Sequence, residues 1–150
     1  MSLKVPPLLL AAIVAGAMVG LARLFPAAGF ALPGRMAVSI GLGILGLAIV
    51  AAAVVSFRSR GTTVNPMTPD AASAVVTGGV FRWSRNPMYL GMLVALAGWA
   101  AYLSNALAAL LLPAFVAYLN RFQIRPEEQA LLARFGPAYS EYMAAVRRWI

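Results

Sequence analysis

The chain has 150 residues, of which 62% are hydrophobic and 11% are charged, and this composition is too apolar for an average soluble domain. It contains no cysteine and no histidine, so disulfides, thiol or imidazole catalysis and the common zinc-ligand sets are excluded, and we predict no metal site. The net charge of +8 does not favour nucleic-acid binding, because the basic residues flank apolar segments instead of forming a stripe. We predict a single all-α integral membrane domain over residues 1–150.

Two apolar segments, residues 5–25 and 36–57, are each long enough to cross a bilayer, which takes roughly 20 residues in a helix. Prolines and glycines interrupt the chain between them, at positions 26 to 34. Residues 1–57 are therefore predicted to form two N-terminal membrane helices.

A polar connection, predicted to be cytosolic, covers residues 58–87. The turn-forming residues from Gly61 to Asp70 could close over a ligand, although an ordinary connector is at least as consistent with their composition.

Two shorter apolar segments, residues 88–103 and 106–122, follow this connection. Ser104 and Asn105 between them favour a tight turn, so residues 88–122 are predicted to form a helical hairpin. The hairpin brings the predicted number of membrane helices to four. Pro113 is a candidate for a kink in the second arm.

The last part of the chain, residues 123–150, is predicted to be an amphipathic helical tail lying against the membrane or the helix bundle. Pro126 fits the first position of a helix, and Gly136-Pro137 interrupts the pattern. Tyr139 and Tyr142 then recur at helical spacing.

This arrangement leaves only Arg23 and Arg35, of the twelve basic residues, on one side of the membrane. By the positive-inside rule, the other side, with both termini, is predicted to be cytoplasmic. An alanine- and glycine-rich composition suggests a bacterial inner membrane.

A candidate anion site lies where the third apolar segment begins. Asn86 followed by Pro87 is typical of a helix N-cap and first helical residue, which leaves backbone N–H groups available beside Arg85. Tyr89 on the first turn could add a hydroxyl, and together these groups could hold a carboxylate or phosphate. Membrane anchoring by Arg82 and Arg85 explains the pattern equally well.

A second candidate cluster is the glutamate pair that follows Arg125. Helical spacing directs Glu128 to the same face as Leu131, Leu132 and Phe135, and an inward carboxylate needs a partner. Glu127 is predicted to point toward Ala130 and Arg134, in a surface ion pair. Simple charging of a helix N-terminus is the alternative role for both glutamates.

Two motifs in the C-terminal half resemble those of a family of membrane methyltransferases that includes the isoprenylcysteine carboxyl methyltransferases and the phospholipid methyltransferases. The first is Gly-x-Phe-Arg-x-x-Arg-x-Pro-x-Tyr-x-Gly at residues 79–91. The second is Glu-Glu-x-x-Leu-x-x-x-Phe-Gly-x-x-Tyr-x-x-Tyr at residues 127–142. The first two predicted spans match by hydropathy and position alone.

This resemblance implies S-adenosylmethionine as the methyl donor, bound on the cytosolic side by the arginine-proline-tyrosine motif and the glutamate pair. Arg85 and Glu128 are the predicted catalytic residues. The predicted cofactor-binding residues are Arg85, Asn86, Pro87, Tyr89, Arg125, Glu127 and Glu128. Methyl transfer from a sulfonium needs neither a metal nor a covalent intermediate, which suits a chain without histidine and cysteine.

The sequence departs from the family at one position. The isoprenylcysteine enzymes commonly carry Arg-His-Pro where this chain has Arg85-Asn86-Pro87, and an asparagine is neither an acid nor a base at neutral pH. The acceptor, a lipophilic small molecule or lipidated compound with a carboxylate, thiol or amine, is therefore left open, as are oligomeric state and pathway.

Two other functions are compatible with the same residues. One is a membrane reductase of the sterol type with a nicotinamide cofactor, which the short chain disfavours. The other is a non-catalytic membrane subunit, in which the charged clusters act only as topological anchors.

Overall fold

The computed structural model describes residues 5–59 and 75–150. Within these residues, helices and turns pack around one central helix, Pro87–Leu103. The order is α1 (Pro7–Leu24), a 3-10 turn (Pro26–Ala28), α2 (Arg35–Ser59), a 3-10 turn (Gly79–Arg82), α3 (Pro87–Leu103), α4 (Ala106–Ala109), α5 (Leu111–Leu119), a π-helical segment (Asn120–Ile124), α6 (Arg125–Phe135) and α7 (Pro137–Ala145). The all-helical prediction is confirmed for this part of the chain. The possible ligand-closing loop from Gly61 to Asp70 lies outside the described residues.

Three described helices are long and apolar enough to cross a membrane: Pro7–Leu24, Arg35–Ser59 and the continuous run Ala106–Phe135, called here the long helix. Helix α3 is also apolar, but its 17 residues rise only about 26 Å, less than a typical hydrocarbon core. The chain is therefore an integral membrane protein with three helices of spanning length, and the fourth span stays a prediction.

The predicted hairpin turn is confirmed at Ser104 and Asn105. Ser104 adopts a left-handed conformation, with φ 47° and ψ 48°, and ends α3. The side chain of Asn105 then caps the long helix by accepting a hydrogen bond from the Ala108 N–H at 3.1 Å. The Asn105 amide also donates to the Phe25 carbonyl at 2.9 Å, so the connection between α1 and α2 lies at the same end as the hairpin turn.

The separate amphipathic helix expected to begin at Pro126 is not observed, because the long helix runs through this proline to Phe135. A proline has no N–H for the carbonyl four residues earlier, here that of Phe122. Phe122 lies inside the π-helical segment, at whose end the Arg125 N–H donates to the Asn120 carbonyl five residues earlier, and the helix continues through Pro126. The glutamate pair therefore lies within a continuous helix, and the interpretation that it charges a free N-terminus is wrong.

The tail packs on the bundle. Gly136 has φ +53° and separates α6 from α7, as the Gly136-Pro137 pattern predicted. Tyr139 and Tyr142 of α7 are buried with Phe81 and Ala53, and Tyr142 donates its hydroxyl to the Phe81 carbonyl at 2.7 Å. Helix α7 is thereby held against the turn that precedes α3.

Helices α2 and α3 approach very closely at glycines. A Cβ built on Gly91 would lie 2.6 Å from both the Gly46 carbonyl oxygen and a Val50 methyl. One built on Gly46 would lie 2.5 Å from the Gly91 carbonyl oxygen. Small residues permit this backbone contact, which is a common way of associating membrane helices.

We expect Gly91→Ala to lower the thermal stability of the purified protein, because the added methyl group would clash with the backbone of α2 and not with a flexible side chain. Overpacking of this kind costs about 1–3 kcal/mol. Gly16→Ala is the matched control, since a Cβ there meets no described atom within 4 Å and alanine favours helix. Equal unfolding temperatures for the two variants in one detergent would contradict the close packing of α2 on α3.

Candidate functional site

The start of α3 is held in place by neighbours on both sides. Phe81 packs edge-on against Phe57 of α2, with ring centroids 4.9 Å apart. The Ser84 hydroxyl accepts a hydrogen bond from the Asn86 N–H at 3.1 Å, and Pro87 takes the first helical position as predicted. This local structure fixes the direction in which Arg85 leaves the backbone.

Arg85 and Glu128 meet, although they belong to different parts of the chain. Arg85 Nη2 lies 2.9 Å from Glu128 Oε1, and Arg85 Nη1 donates to the Met143 carbonyl at 2.8 Å. Both side chains are 9% exposed. The structure thus brings the two predicted catalytic residues into direct contact, in a buried charge pair between α6 and the segment before α3.

Arg148 completes this cluster, and the sequence analysis did not single it out. Its Nη2 lies 2.6 Å from Glu128 Oε2 and its Nε lies 3.0 Å from Glu128 Oε1, a bidentate contact. The only signal in the sequence was a basic pair beside Trp149, a pattern typical of membrane interfaces. Nothing in that pattern distinguishes the inward Arg148 from the exposed Arg147.

One nitrogen of this cluster has no partner. Arg85 Nε is buried and makes no hydrogen bond within the described residues. Buried donors are nearly always paired, so an orphaned guanidinium N–H needs an explanation. The three-residue cluster also contains two guanidinium groups for one carboxylate. Both features favour an additional anionic group at this place.

Glu127 does not form the predicted surface pair. It is partly buried, and its Oε1 accepts hydrogen bonds from the Tyr89 hydroxyl at 2.6 Å and from Gln123 Nε2 at 3.2 Å. The cause is the uninterrupted helix, which stacks Gln123 and Glu127 four residues apart on the face toward α3. The Tyr89 hydroxyl was expected to join the anion site beside Arg85. In the structure it donates to Glu127.

Asn86 occupies the N-cap position of α3, as predicted, but its side chain does not cap the helix. This side chain makes no capping bond to α3, and its Nδ2 donates to the Arg148 carbonyl at 2.9 Å. The serine hydroxyl two residues earlier binds the Asn86 N–H, which leaves the amide free to reach the end of the chain.

Arg125 lines the same pocket as Glu128 but, among the described residues, takes no part in its ion pairs. It is exposed and lines a shallow pocket of about 160 Å³ together with Glu128, Gln129, Leu132 and Met143. Of the predicted site residues, Arg125 is thus beside the Glu128 carboxylate and open to solvent.

The tail groups around the cluster have shifted acidities. The hydrogen bond to Glu128 raises the pKa of Arg148. Burial, reinforced by the negative charge of Glu128, raises the pKa of Tyr139 to about 12, and burial also raises the pKa of Tyr142. Both tyrosines are therefore neutral at physiological pH, and each retains its hydroxyl proton for donation.

A helical membrane protein with a buried cluster of opposite charges at one helix end is the class of protein that these observations define. Within the described residues, no group of acidic side chains is arranged to hold a metal ion. Residues 34–138 match the sequence model of the phospholipid methyltransferase family, and the chain belongs to this family. Family membership implies a methyltransferase.

One curated relative is similar to part of the chain. A protein of Haemophilus influenzae, named only as uncharacterized, is 43% identical over 63 residues, which is 42% of this chain and the whole of that protein. No solved structure matches the chain.

Proposed function

We propose that the protein transfers a methyl group from S-adenosylmethionine to a lipophilic acceptor at the cytosolic membrane face. The acceptor would be an isoprenylcysteine-like carboxylate, a thiol or a lipid amine. The observation that carries this proposal is the buried Arg85–Glu128–Arg148 cluster with its orphaned guanidinium N–H.

The residues present fit the charged end of this cofactor, which carries a carboxylate and an ammonium group. Arg85 is a suitable partner for the carboxylate, because a guanidinium binds carboxylates through two parallel hydrogen bonds. Glu128 and Glu127 supply carboxylate oxygens for an ammonium or for ribose hydroxyls. Arg125 and Tyr89 flank these groups and support them.

When bound, S-adenosylmethionine supplies an electrophilic methyl group on its sulfonium. The work of this chain is then to bind, orient and exclude water. Arg85 is well suited to orientation, because its contacts with Glu128 and the Met143 carbonyl fix the guanidinium plane. The apolar surfaces of α3 and the long helix offer an approach for the acceptor from the bilayer.

The distribution of basic residues supports a cytosolic position for the site. The described arginines at the site end include Arg58, Arg82, Arg121 and Arg125, whereas Arg23 and Arg35 lie at the hairpin-turn end. By the positive-inside rule the site end faces the cytosol, which in a bacterium is the inner side of the inner membrane.

The decisive experiment is calorimetry of the detergent-purified full chain with S-adenosylmethionine and, separately, with NADPH. We expect saturable binding of the first and none of the second. Incubation with methyl-labelled donor and native membrane lipids and thiols should then label one acceptor class. Binding of NADPH alone would establish the reductase alternative, and failure to bind either cofactor would establish a non-catalytic membrane subunit.

A further inference from the structure

The last five residues, 146–150, follow α7 without regular secondary structure, and we call them the strap. Helix α7 ends at Ala145, and Val146 has the extended dihedrals φ −125° and ψ 132°. From there the chain crosses the start of α3 and reaches Asn120 on the long helix.

Hydrogen-bond donors at the start of α3 are occupied by the strap. The Arg85 N–H donates to the Arg147 carbonyl at 3.0 Å. Asn86 Nδ2 donates to the Arg148 carbonyl at 2.9 Å. These donors belong to Arg85, which is proposed above to bind the carboxylate of the methyl donor, and to the residue next to it.

The strap also occupies the carboxylate of the site. The Arg148 guanidinium binds both oxygens of Glu128, the residue assigned above to an ammonium or to hydroxyls. The strap thus offers carbonyl oxygens to the N–H donors and a cation to Glu128. The amino-acid end of S-adenosylmethionine has the same pair of chemistries, a carboxylate and an ammonium.

Among the described residues, the pocket lined by Glu128 and Arg125 measures about 160 Å³. Sites for ligands of this size enclose about 300–1,000 Å³. This pocket alone is therefore too small for the cofactor while the strap is in place.

We propose that the strap covers the donor site by binding its polar groups from within the same chain, and that the methyl donor binds by displacing the strap. This inference rests on the proposed function. Each group of the strap has a counterpart in the donor. The donor's carboxylate replaces the two neutral strap carbonyls and makes stronger, charge-assisted hydrogen bonds. An ammonium replaces the Arg148 guanidinium on Glu128. Arg85 Nε, which has no partner among the described residues, would gain one from the carboxylate of the bound donor.

Trp149 holds the C-terminal end of the strap against the long helix. Its indole Nε1 donates to Asn120 Oδ1 at 3.1 Å, and the ring packs against the core around α5. This bond involves neither Arg85, Glu128 nor Arg148, so it can be removed without altering a residue assigned to donor binding.

Trp149→Phe removes the indole N–H and keeps an aromatic ring. If closure of the strap limits binding, loss of one such hydrogen bond should increase the open population roughly two- to ten-fold. The association rate constant and the affinity for S-adenosylmethionine should rise by the same factor. Trp99→Phe is the matched control, because the Trp99 indole of α3 donates to the Ala15 carbonyl of α1 at 3.2 Å and makes no bond to the strap. Stopped-flow and calorimetric titrations should show the increase for Trp149→Phe alone.

A covalent lock tests the same idea independently. The chain has no native cysteine, so Asn120→Cys and Trp149→Cys introduce the only two thiols. A cleavable, bifunctional thiol-reactive cross-linker that joins the two cysteines should abolish donor binding. Cleavage of the cross-linker should restore it. Single-cysteine variants treated identically are the controls and should keep binding.

The outcomes separate the two proposals. If the wild-type chain binds S-adenosylmethionine and the cross-linked protein binds it equally well, the cover is refuted and the proposed function stands. An unchanged association rate in Trp149→Phe also refutes the cover. If the wild-type chain does not bind this donor, both proposals fail.

Discussion

Glu128→Gln is expected to destabilise the protein and to weaken binding of S-adenosylmethionine. Within residues 5–59 and 75–150, Glu128 is the single carboxylate that contacts both Arg85 and Arg148, and glutamine removes its charge while keeping its size. Breaking a buried ion pair by removing one partner costs about 3–5 kcal/mol. Because the Arg148 side chain is 32% exposed, water screens part of the loss and we expect a value at the lower end.

Donor binding should fall at least about ten-fold in the same variant, since a hydrogen bond to a charged group contributes about 1.5–3 kcal/mol. Loss of the Arg148 contact also loosens the strap, which offsets part of this decrease. Stability is therefore the larger of the two effects. Thermal unfolding and calorimetry in one detergent measure both.

Glu141→Gln provides the control for Glu128→Gln. Glu141 lies on α7, in the same tail, but its side chain is exposed. This variant should have the unfolding temperature and the donor affinity of the wild type. If Glu128→Gln behaved like Glu141→Gln in both measurements, the buried charge cluster would have no role in stability or binding.

Arg85→Lys is expected to reduce donor affinity by about 100-fold, even though the positive charge is kept. The guanidinium of Arg85 contacts Glu128 through Nη2 and the Met143 carbonyl through Nη1, and its buried Nε remains for a ligand. A lysine has one compact ammonium group and does not reproduce this planar fork. Losing one or two charge-assisted hydrogen bonds at about 1.5–3 kcal/mol each gives the expected factor.

Arg82→Lys is the matched control for Arg85→Lys, because Arg82 precedes the same helix and its side chain is exposed. Surface charge exchange should leave donor affinity within about two-fold. A lysine at position 85 that bound the donor normally would show that Arg85 is a membrane anchor and not a binding residue. That result would favour the anchoring interpretation of the arginine pair.

Several features of the fold were predictable because they depend on local properties of the chain. The hairpin turn at Ser104 and Asn105 was predicted correctly, since asparagine and serine favour turns and caps. The inward direction of Glu128 followed from helical spacing, and this side chain is indeed buried. The two residue clusters could be expected to meet because a hairpin returns its ends to the same side.

Other features of the site depended on neighbours that no local pattern reveals. Glu127 was expected on the surface because helical spacing directed it toward Arg134, but in the continuous long helix it binds Tyr89 and Gln123. Asn86 takes the expected N-cap position of α3, but its side-chain amide binds the strap and not the helix. The contact between Arg148 and Glu128 joins residues twenty positions apart through the turn at Gly136.

The amino-acid sequence by itself determined the membrane class, the helical segments and the family, because hydropathy and motif spacing are carried by the chain whatever its packing. The tertiary structure alone decided which cation pairs with Glu128, which group binds Glu127 and what covers the start of α3. The physical reason is that a buried charge takes the partner whose backbone position brings it within hydrogen-bonding distance. That position is set by the packing of α3, the long helix and α7 around it.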